Sequence, residues 1–478
     1  MRSLGNTPVD GEVRAVASGT LPSGQPVIVN ADGTVSVVAE TAEVIGSPNV
    51  FESGNTVSTA ATFDSSNNKV VIAYRDGGNS NYGTAIVGTV GASSISFGTA
   101  VVFESASTDE IAITFDSSNN KIFIAYKDNG NSGYGTGIVG TVSGTSISFG
   151  SAVVFKSVVM AGIGATFDSN SNKVVVTYRN NSAGGDGTAS VGTVSGTNIS
   201  FGSSVAFTTS NSTDTSTVFD SSNNKIVIAY RDIQTTDIGT CVVGTVSGTS
   251  ISFGTPVVFE NAAVTFIAAA FDSNSNKVVI SYRVTSTTYG NSIVGTVSGT
   301  SISFGTAVVF EAADAREISS TFDTNANKVA VVYRDNGNSF YGTRILGTVS
   351  GTSISFNSPV VFESANTSHT SCTFDSTSNN VVIAYRDEGF FDRGTATFFR
   401  PLAFNLTSEN YIGIAKGAAA NGASAVVQTG CSINDAQSSL TAGQQYFVQT
   451  DGTLGLTAAN PSVLAGTAVS ATKLIVKG

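Results

Sequence analysis

A tyrosine followed by a cation recurs along this 478-residue chain: Tyr74-Arg75, Tyr126-Lys127, Tyr178-Arg179, Tyr230-Arg231, Tyr282-Arg283, Tyr333-Arg334 and Tyr385-Arg386. A carboxylate follows the cation in five copies, as Asp76, Asp128, Asp232, Asp335 and Asp387. Cations and aromatic rings repeated in this way offer donors and stacking faces to sugars or acidic glycans. The competing reading is packing by Tyr beside a local Arg–Asp pair of modest energy. The candidate binding residues are therefore Arg75, Lys127, Arg179, Arg231, Arg283, Arg334 and Arg386, as a ring on one face of the fold.

Catalysis has weaker support. Sialidases use an arginine cluster, a Tyr and a carboxylate, but here the equivalent residues stand in every copy and no single copy carries an unmatched set. The chain has one histidine, which makes His-based triads and His-rich metal sites improbable. That residue, His369, reads as a surface residue in a variable segment. Cys241 and Cys372 fill slots that hold Ala in other copies, and Cys431 has no partner, so neither a disulfide framework nor metal-ligand spacing emerges. Asp64, Ser66 and Asn68 offer oxygen atoms but lack a known calcium-loop spacing. Gly83-Thr84 and Gly88-Thr89 lie on a strand with no following helix, which excludes a phosphate loop. The expectation is a non-enzymatic protein with no cofactor, no metal and no catalytic residue.

The elements that position the cations follow from an internal repeat. Phe-Asp recurs at Phe63, Phe115, Phe167, Phe219, Phe271, Phe322 and Phe374, at a spacing of 52 residues with one step of 51. One copy reads as four strands. The first ends at Phe63, and an Asx- and Ser-rich turn begins at Asp64. Lys69–Arg75 is the second, and its apolar run Val70–Ala73 suits a strand buried on both faces. Gly83–Val90 is the third. Ser94–Phe97 continuing to Val101–Phe103 is the fourth. These segments are β-branched and aromatic and are bounded by Gly, Asn and Ser.

Four short strands repeated seven times predict an all-β, seven-bladed β-propeller over residues 43–400. Ile45–Ser53 aligns with Phe97–Ser105, a fourth strand without its first three. The last copy lacks a fourth strand, because the chain departs at Arg400-Pro401. The N-terminal strand is thus predicted to complete the last blade and close the ring. Residues 1–42 and 401–478 share a motif around Asp32-Gly33 and Asp451-Gly452, each read as a hairpin. They predict one small β-domain built from both termini.

First-to-second and third-to-fourth turns are nearly uniform among the copies. Second-to-third loops vary, as in Gly77–Asn81, Ile233–Asp237 and Glu388–Asp392, and so do the inter-blade segments, as in Ala106–Glu110 against Val158–Gly162. Variable loops on a rigid repeated frame are suited to recognition. Both termini are expected at the uniform face, which would set attachment and recognition at opposite ends.

Composition narrows the partners. Only 12% of residues are charged, and the net charge is −11, so nucleic acid is not an expected ligand. No uncharged apolar run reaches ~18 residues, so membrane insertion is not expected. Met1–Pro8 lacks the apolar core of a secretory signal, which fits packaging into a particle assembled in the cytoplasm.

The terminal segments are distinctive. Ala17–Gly24, Asn410–Ala415, Ser438–Val448, Asp451–Leu454, Pro461–Val463 and Ala465–Leu474 resemble the ends of repeat-containing structural and tail-fibre-like proteins of tailed bacteriophages. The resemblance covers about 120 terminal residues and brings no catalytic motif. It implies a virion component, a tail or capsid appendage that joins other virion proteins through the terminal domain. It would touch a host surface glycan or receptor through the variable face, as a homo-oligomer on analogy with symmetric appendages. The alternatives are a bacterial surface lectin or adhesin and a glycan-cleaving propeller enzyme.

Overall fold

The computed structural model describes residues 11–30, 32–41, 43–459 and 461–477. Met1–Pro8 lies outside the described residues. The chain divides into two compact units, one spanning Ile45–Arg400 and one combining the residues up to Val44 with those from Pro401.

The larger unit is all-β, a 29-stranded antiparallel series in which strands follow one another in chain order. The repeat explains the order, since each copy contributes the same strands in the same register. In the second copy, Lys121–Asp128 pairs on one side with the C-terminal half of Val101–Asp116 and on the other with Tyr134–Ser143. Tyr134–Ser143 then pairs with Ser146–Phe149 and with the N-terminal half of Val153–Asp168. The second strand is the buried centre of each copy. Val70, Val71, Ile72, Ala73 and Tyr74 are all fully buried, as their two-sided apolar pattern predicts.

The inter-copy segments, expected to be variable loops, are strand. Six of the seven connections are single 16-residue strands, from Asn49–Asp64 to Val360–Asp375, and one is split into Val308–Glu311 and Ala315–Asp323. Each serves two masters in turn. Its first half hydrogen-bonds the third strand of one copy and its second half bonds the second strand of the next. That double pairing satisfies the backbone, so the side chains are free to vary without opening a loop.

Apolar cores lie between successive copies. Val71, Ala73, Ala85, Val87 and Phe103 of the first pack against Ile122, Ile124, Tyr126 and Ile138 of the second. Three recurring aromatic slots meet at each junction. The Phe103 ring lies 5.2 Å from Tyr126 and 5.8 Å from Phe149, and Phe207 lies 5.2 Å from Tyr230 and 5.8 Å from Phe253. Glycine fixes how closely the copies approach. A Cβ on Gly98, Gly150, Gly202, Gly254 or Gly305 would stand 1.8–2.0 Å from the carbonyl oxygen of Thr145, Thr197, Thr249, Thr300 or Thr352 in the next copy.

At the two ends of the series, Arg393–Arg400 pairs with Asn49–Asp64 through Gly394↔Glu52 and Thr395↔Val50. Links between neighbouring copies also join the seventh to the first. Ser118 Oγ and Ser222 Oγ donate to Asn172 and Asn276 one copy on, and Thr377 Oγ1 donates to Asn68 Oδ1 at 2.7 Å. Likewise, Ala269 N donates to Ser216 Oγ, and Ala61 N donates to Ser371 Oγ at 3.0 Å.

In the smaller unit both terminal segments share one five-stranded sheet, ordered Glu12–Val16, Ser424–Gln428, Tyr411–Ala415, Pro26–Val29 and Val35–Val37. A second five-stranded sheet comes from the C-terminal segment alone. The repeated motif forms two matching hairpins. Asp32 accepts from Thr34 N at 3.0 Å and Asp451 from Thr453 N at 2.9 Å, and Gly33 and Gly452 both have φ of 82°. Each connection is longer than a two-residue turn, because Asn30 N bonds Thr34 O and Gln449 N bonds Thr453 O.

Candidate functional site

The seven cations each stand one residue inward from the end of the second strand. Each faces a first-strand residue: Arg75 pairs with Val57, Lys127 with Asp109, Arg179 with Ala161, Arg231 with Thr213, Arg283 with Thr265, Arg334 with Arg316 and Arg386 with Ser368. They therefore occupy equivalent places, all at the end that carries the second-to-third loops.

Most are already matched by acids. Arg75 lies 3.3 Å from Asp109, Arg231 3.3 Å from Asp214, Arg283 2.7 Å from Asp314, and Arg386 2.7 Å from Asp392. No partner is the Asp that directly follows the cation. Adjacent strand residues point to opposite faces, which rules that pairing out. Asp76, Asp128 and Asp335 instead turn their carboxylates onto loop amides, accepting from Asn79, Asn131 and Asn338 at 3.0 Å. The expected pair with the following Asp is thus replaced by a loop cap for that Asp and an ion pair from the cation to an acid in the bulge, the next copy or the following loop.

The recurring Tyr is structural. Its ring is fully buried, and in five copies its hydroxyl meets a Glu that lies 22 residues earlier. Tyr74 donates to Glu52 at 3.1 Å and Tyr333 to Glu311 at 2.8 Å. Burial, reinforced by the neighbouring Glu, pushes the Tyr333 hydroxyl far above its ordinary value. Tyr178, whose copy has Lys156 in the Glu slot, uses Ser204 at 2.9 Å. The signal was legible as a Glu directly after the recurring Phe in five copies, at Glu52, Glu104, Glu260, Glu311 and Glu363.

A second recurring set of residues was not legible. Beside each cation the first strand carries a bulge, where the register shifts between Val57 and Ala60, Asp109 and Ala112, and so on through Ser368 and Ser371. Its first residue has a φ of 48–59° in every copy: Ser58, Glu110, Gly162, Asp214, Phe266, Glu317 and His369. Only one is Gly, although left-handed backbone favours it. Six side chains are kept there against a cost of roughly 1–2 kcal/mol each.

Successive bulges touch. Ser58 Oγ donates to Asp109 at 2.9 Å, Gly162 N to Glu110 at 3.2 Å, and His369 N to Glu317 at 3.3 Å. Glu110, Gly162, Asp214 and Phe266 line one hollow of about 220 Å³. Burial, then the nearby Asp109, pushes the Glu110 carboxyl up. Burial also raises Asp214, against the pull of Arg231. His369 lies within strand at a bulge rather than on an open surface. Burial holds its imidazole below the usual value, with Glu317 opposing. Three acids, Glu110, Asp214 and Glu317, and the His369 imidazole therefore stand at bulges beside the cations. Among the described residues no cluster of His, Cys, Asp and Glu is arranged to hold a metal ion. The Asp64 carboxylate is taken by the amides of Ser66 and Asn67 at 2.9 and 3.1 Å, which accounts for that turn without a cation.

Exposed aromatics stand in the second-to-third loops of the last three copies, at Tyr289, Phe340, Phe390 and Phe391, and the last two copies hold the exposed phenylalanines. Their sequence signal was present. Twenty of the 29 phenylalanines fall into three recurring slots, and these three do not.

No protein-family model and no curated protein sequence matches the chain. Among solved structures it is similar to AofleA from Arthrobotrys oligospora, at 9% identity and a TM-score of 0.43, over 71% of this chain and 97% of that one. A mutant of that protein with three arginines changed to alanine gives 9% identity and a TM-score of 0.44, over 70% and 94%. The chain is also similar to a protein of unknown function from Dyadobacter fermentans, at 9% identity and a TM-score of 0.46, over 76% of this chain and 99% of that one.

Proposed function

We propose that the seven copies form a closed seven-bladed propeller and that the protein is a non-enzymatic virion appendage contacting the host cell surface through the variable end. Closure is supported by the Arg393–Arg400 pairing with the N-terminal strand and by the Thr377–Asn68 and Ser371–Ala61 bonds, which match those between other neighbours. The virion setting is supported by the resemblance of the terminal segments. In this reading the terminal domain joins other virion proteins.

One observation carries the recognition role. Residues that hold the frame recur from copy to copy, whereas strained and exposed side chains that differ gather at one end of every second strand. A rigid frame with side-chain diversity at one end is suited to binding and offers no single constellation for chemistry.

Two measurements test this. Mass spectrometry of purified particles is expected to find the full chain among their proteins. Labelled full-length protein is expected to bind host cells saturably, with no release of reducing sugar from the cell surface. Absence from the particles together with no cell binding contradicts the proposal, and sugar release contradicts its non-enzymatic part.

A further inference from the structure

Three phenylalanines break the polar composition of the variable loops. Phe340 is 45% exposed, Phe390 50% and Phe391 78%. Phe340 and Phe391 also adopt φ of 64° and 62°, a conformation unusual for bulky side chains. Equivalent positions elsewhere hold residues that accept it readily, such as Ser80, Asn81 and Gly133. These two loops thus combine backbone strain with exposed apolar surface, and neither helps the frame.

The rings are held in place. The Arg393 guanidinium lies 4.3 Å from the Phe390 centroid and 5.6 Å from that of Phe391, and Arg334 lies 5.7 Å from that of Phe340. Phe390 and Phe391 meet edge to face at 5.5 Å. The two loops are neighbours. Thr367 N donates to the Phe340 carbonyl at 3.1 Å, and Glu388 N donates to the Asn366 carbonyl at 2.8 Å, so residues 366–367 bridge them.

We propose that loops 336–340 and 388–392 form the principal contact site for a neutral polysaccharide. The inference rests on the variable end being the recognition face. The negative face of an aromatic ring attracts the polarised C–H bonds on the apolar side of a pyranose. Hydroxyls at the sugar's rim find Asp392, whose side chain is 40% exposed, and the exposed Asn338. The charge favours a neutral chain. Arg386 is matched by Asp392, Arg393 and Arg334 are engaged with rings, and the net charge of −11 repels a polyanion.

The test uses the full chain on an array of neutral hexose, deoxyhexose and N-acetylhexosamine oligosaccharides, with uronate- and sulfate-bearing glycans alongside. Wild type is expected to bind at least one neutral glycan. The triple variant F340A/F390A/F391A, with unchanged thermal unfolding, is expected to lose about 50-fold or more in affinity, at about fourfold per ring. The variant N181A/S182A, in the exposed loop of the third copy, is expected to bind as wild type does. Binding only to charged glycans, or to no glycan, overturns the proposal. If N181A/S182A weakens binding and the triple variant does not, the site is wrong while the recognition face stands. If neither variant alters glycan binding, the proposed site is refuted.

Discussion

Replacing Gly202 by Ala tests the junction between copies. The backbone at Gly202 lies outside the left-handed region, so Ala meets no conformational penalty there. Its Cβ would stand 1.9 Å from Thr249 O, where ordinary contact begins near 3.4 Å, so the neighbouring turn must move by about 1.5 Å. The obstacle is backbone and cannot rotate away. Overpacking of this kind costs about 1–3 kcal/mol, offset by about 0.4–1 kcal/mol from the stiffer unfolded chain. The expected net loss is about 1–2 kcal/mol. The sixth copy supplies an internal control. There the slot holds Asn357, which makes the same backbone bond to Leu346 O that Gly202 makes to Val191 O. Its neighbour is the seventh copy, which leaves its third strand at Arg400 and has no matching turn, so a side chain is tolerated. Asn357→Ala forfeits only the bond from Leu346 N to Asn357 Oδ1, worth about 1 kcal/mol. Denaturant midpoints of the two variants and wild type decide the matter. A Gly202→Ala protein within about 0.5 kcal/mol of wild type refutes the steric account.

Tyr333→Phe strips the hydroxyl from Glu311 and is expected to cost about 1–3 kcal/mol in denaturant unfolding, more than Tyr230→Phe, whose hydroxyl meets the neutral Thr208. The raised folded-state pKa of Glu110 means that its charge opposes folding above that pKa, and this opposition vanishes as pH falls below the ordinary carboxylate range. Glu110→Gln is therefore expected to match or exceed wild-type stability at pH 7, with the gap narrowing toward about pH 4; a gap that widens as pH falls contradicts the assignment. Burial pushes the Cys372 thiol up to about 12 and the Cys241 thiol further, whereas Cys431 is exposed. A thiol reagent is expected to label one cysteine in the folded protein and all three after denaturation.

Much of the frame was legible because the repeat shows its own tolerances. A position filled by Phe, Tyr or Gly in copy after copy announces a packing constraint, and the four strands, the buried second strand and the terminal pairing of Ile45–Ser53 follow from it. The inter-copy connection was misread because satisfying its backbone by two successive partners leaves no requirement on side-chain type. Asp76 and its equivalents were ambiguous for another reason. A carboxylate after Arg at a loop entrance suits an ion pair and an Asx cap equally, and only strand alternation decides between them. The recurring bulge was hidden because left-handed backbone is normally flagged by Gly, and here only Gly162 shows it. Residues such as Glu110 and Phe266 hold that geometry through pairing on both sides of the bulge, which no local pattern encodes.

The central claim is that recognition resides at the variable end. Grafting the first copy's loop, Gly77–Asn81, onto the second-to-third loops of the sixth and seventh copies changes that end while leaving every second strand intact. The deciding measurement is saturable binding of this full-length graft to host cells, beside a variant altered only at the uniform Phe-Asp turns, for example Ser222→Ala. The account predicts that the graft loses binding and that Ser222→Ala retains it. Undiminished binding by the graft, with loss in the turn variant, contradicts it.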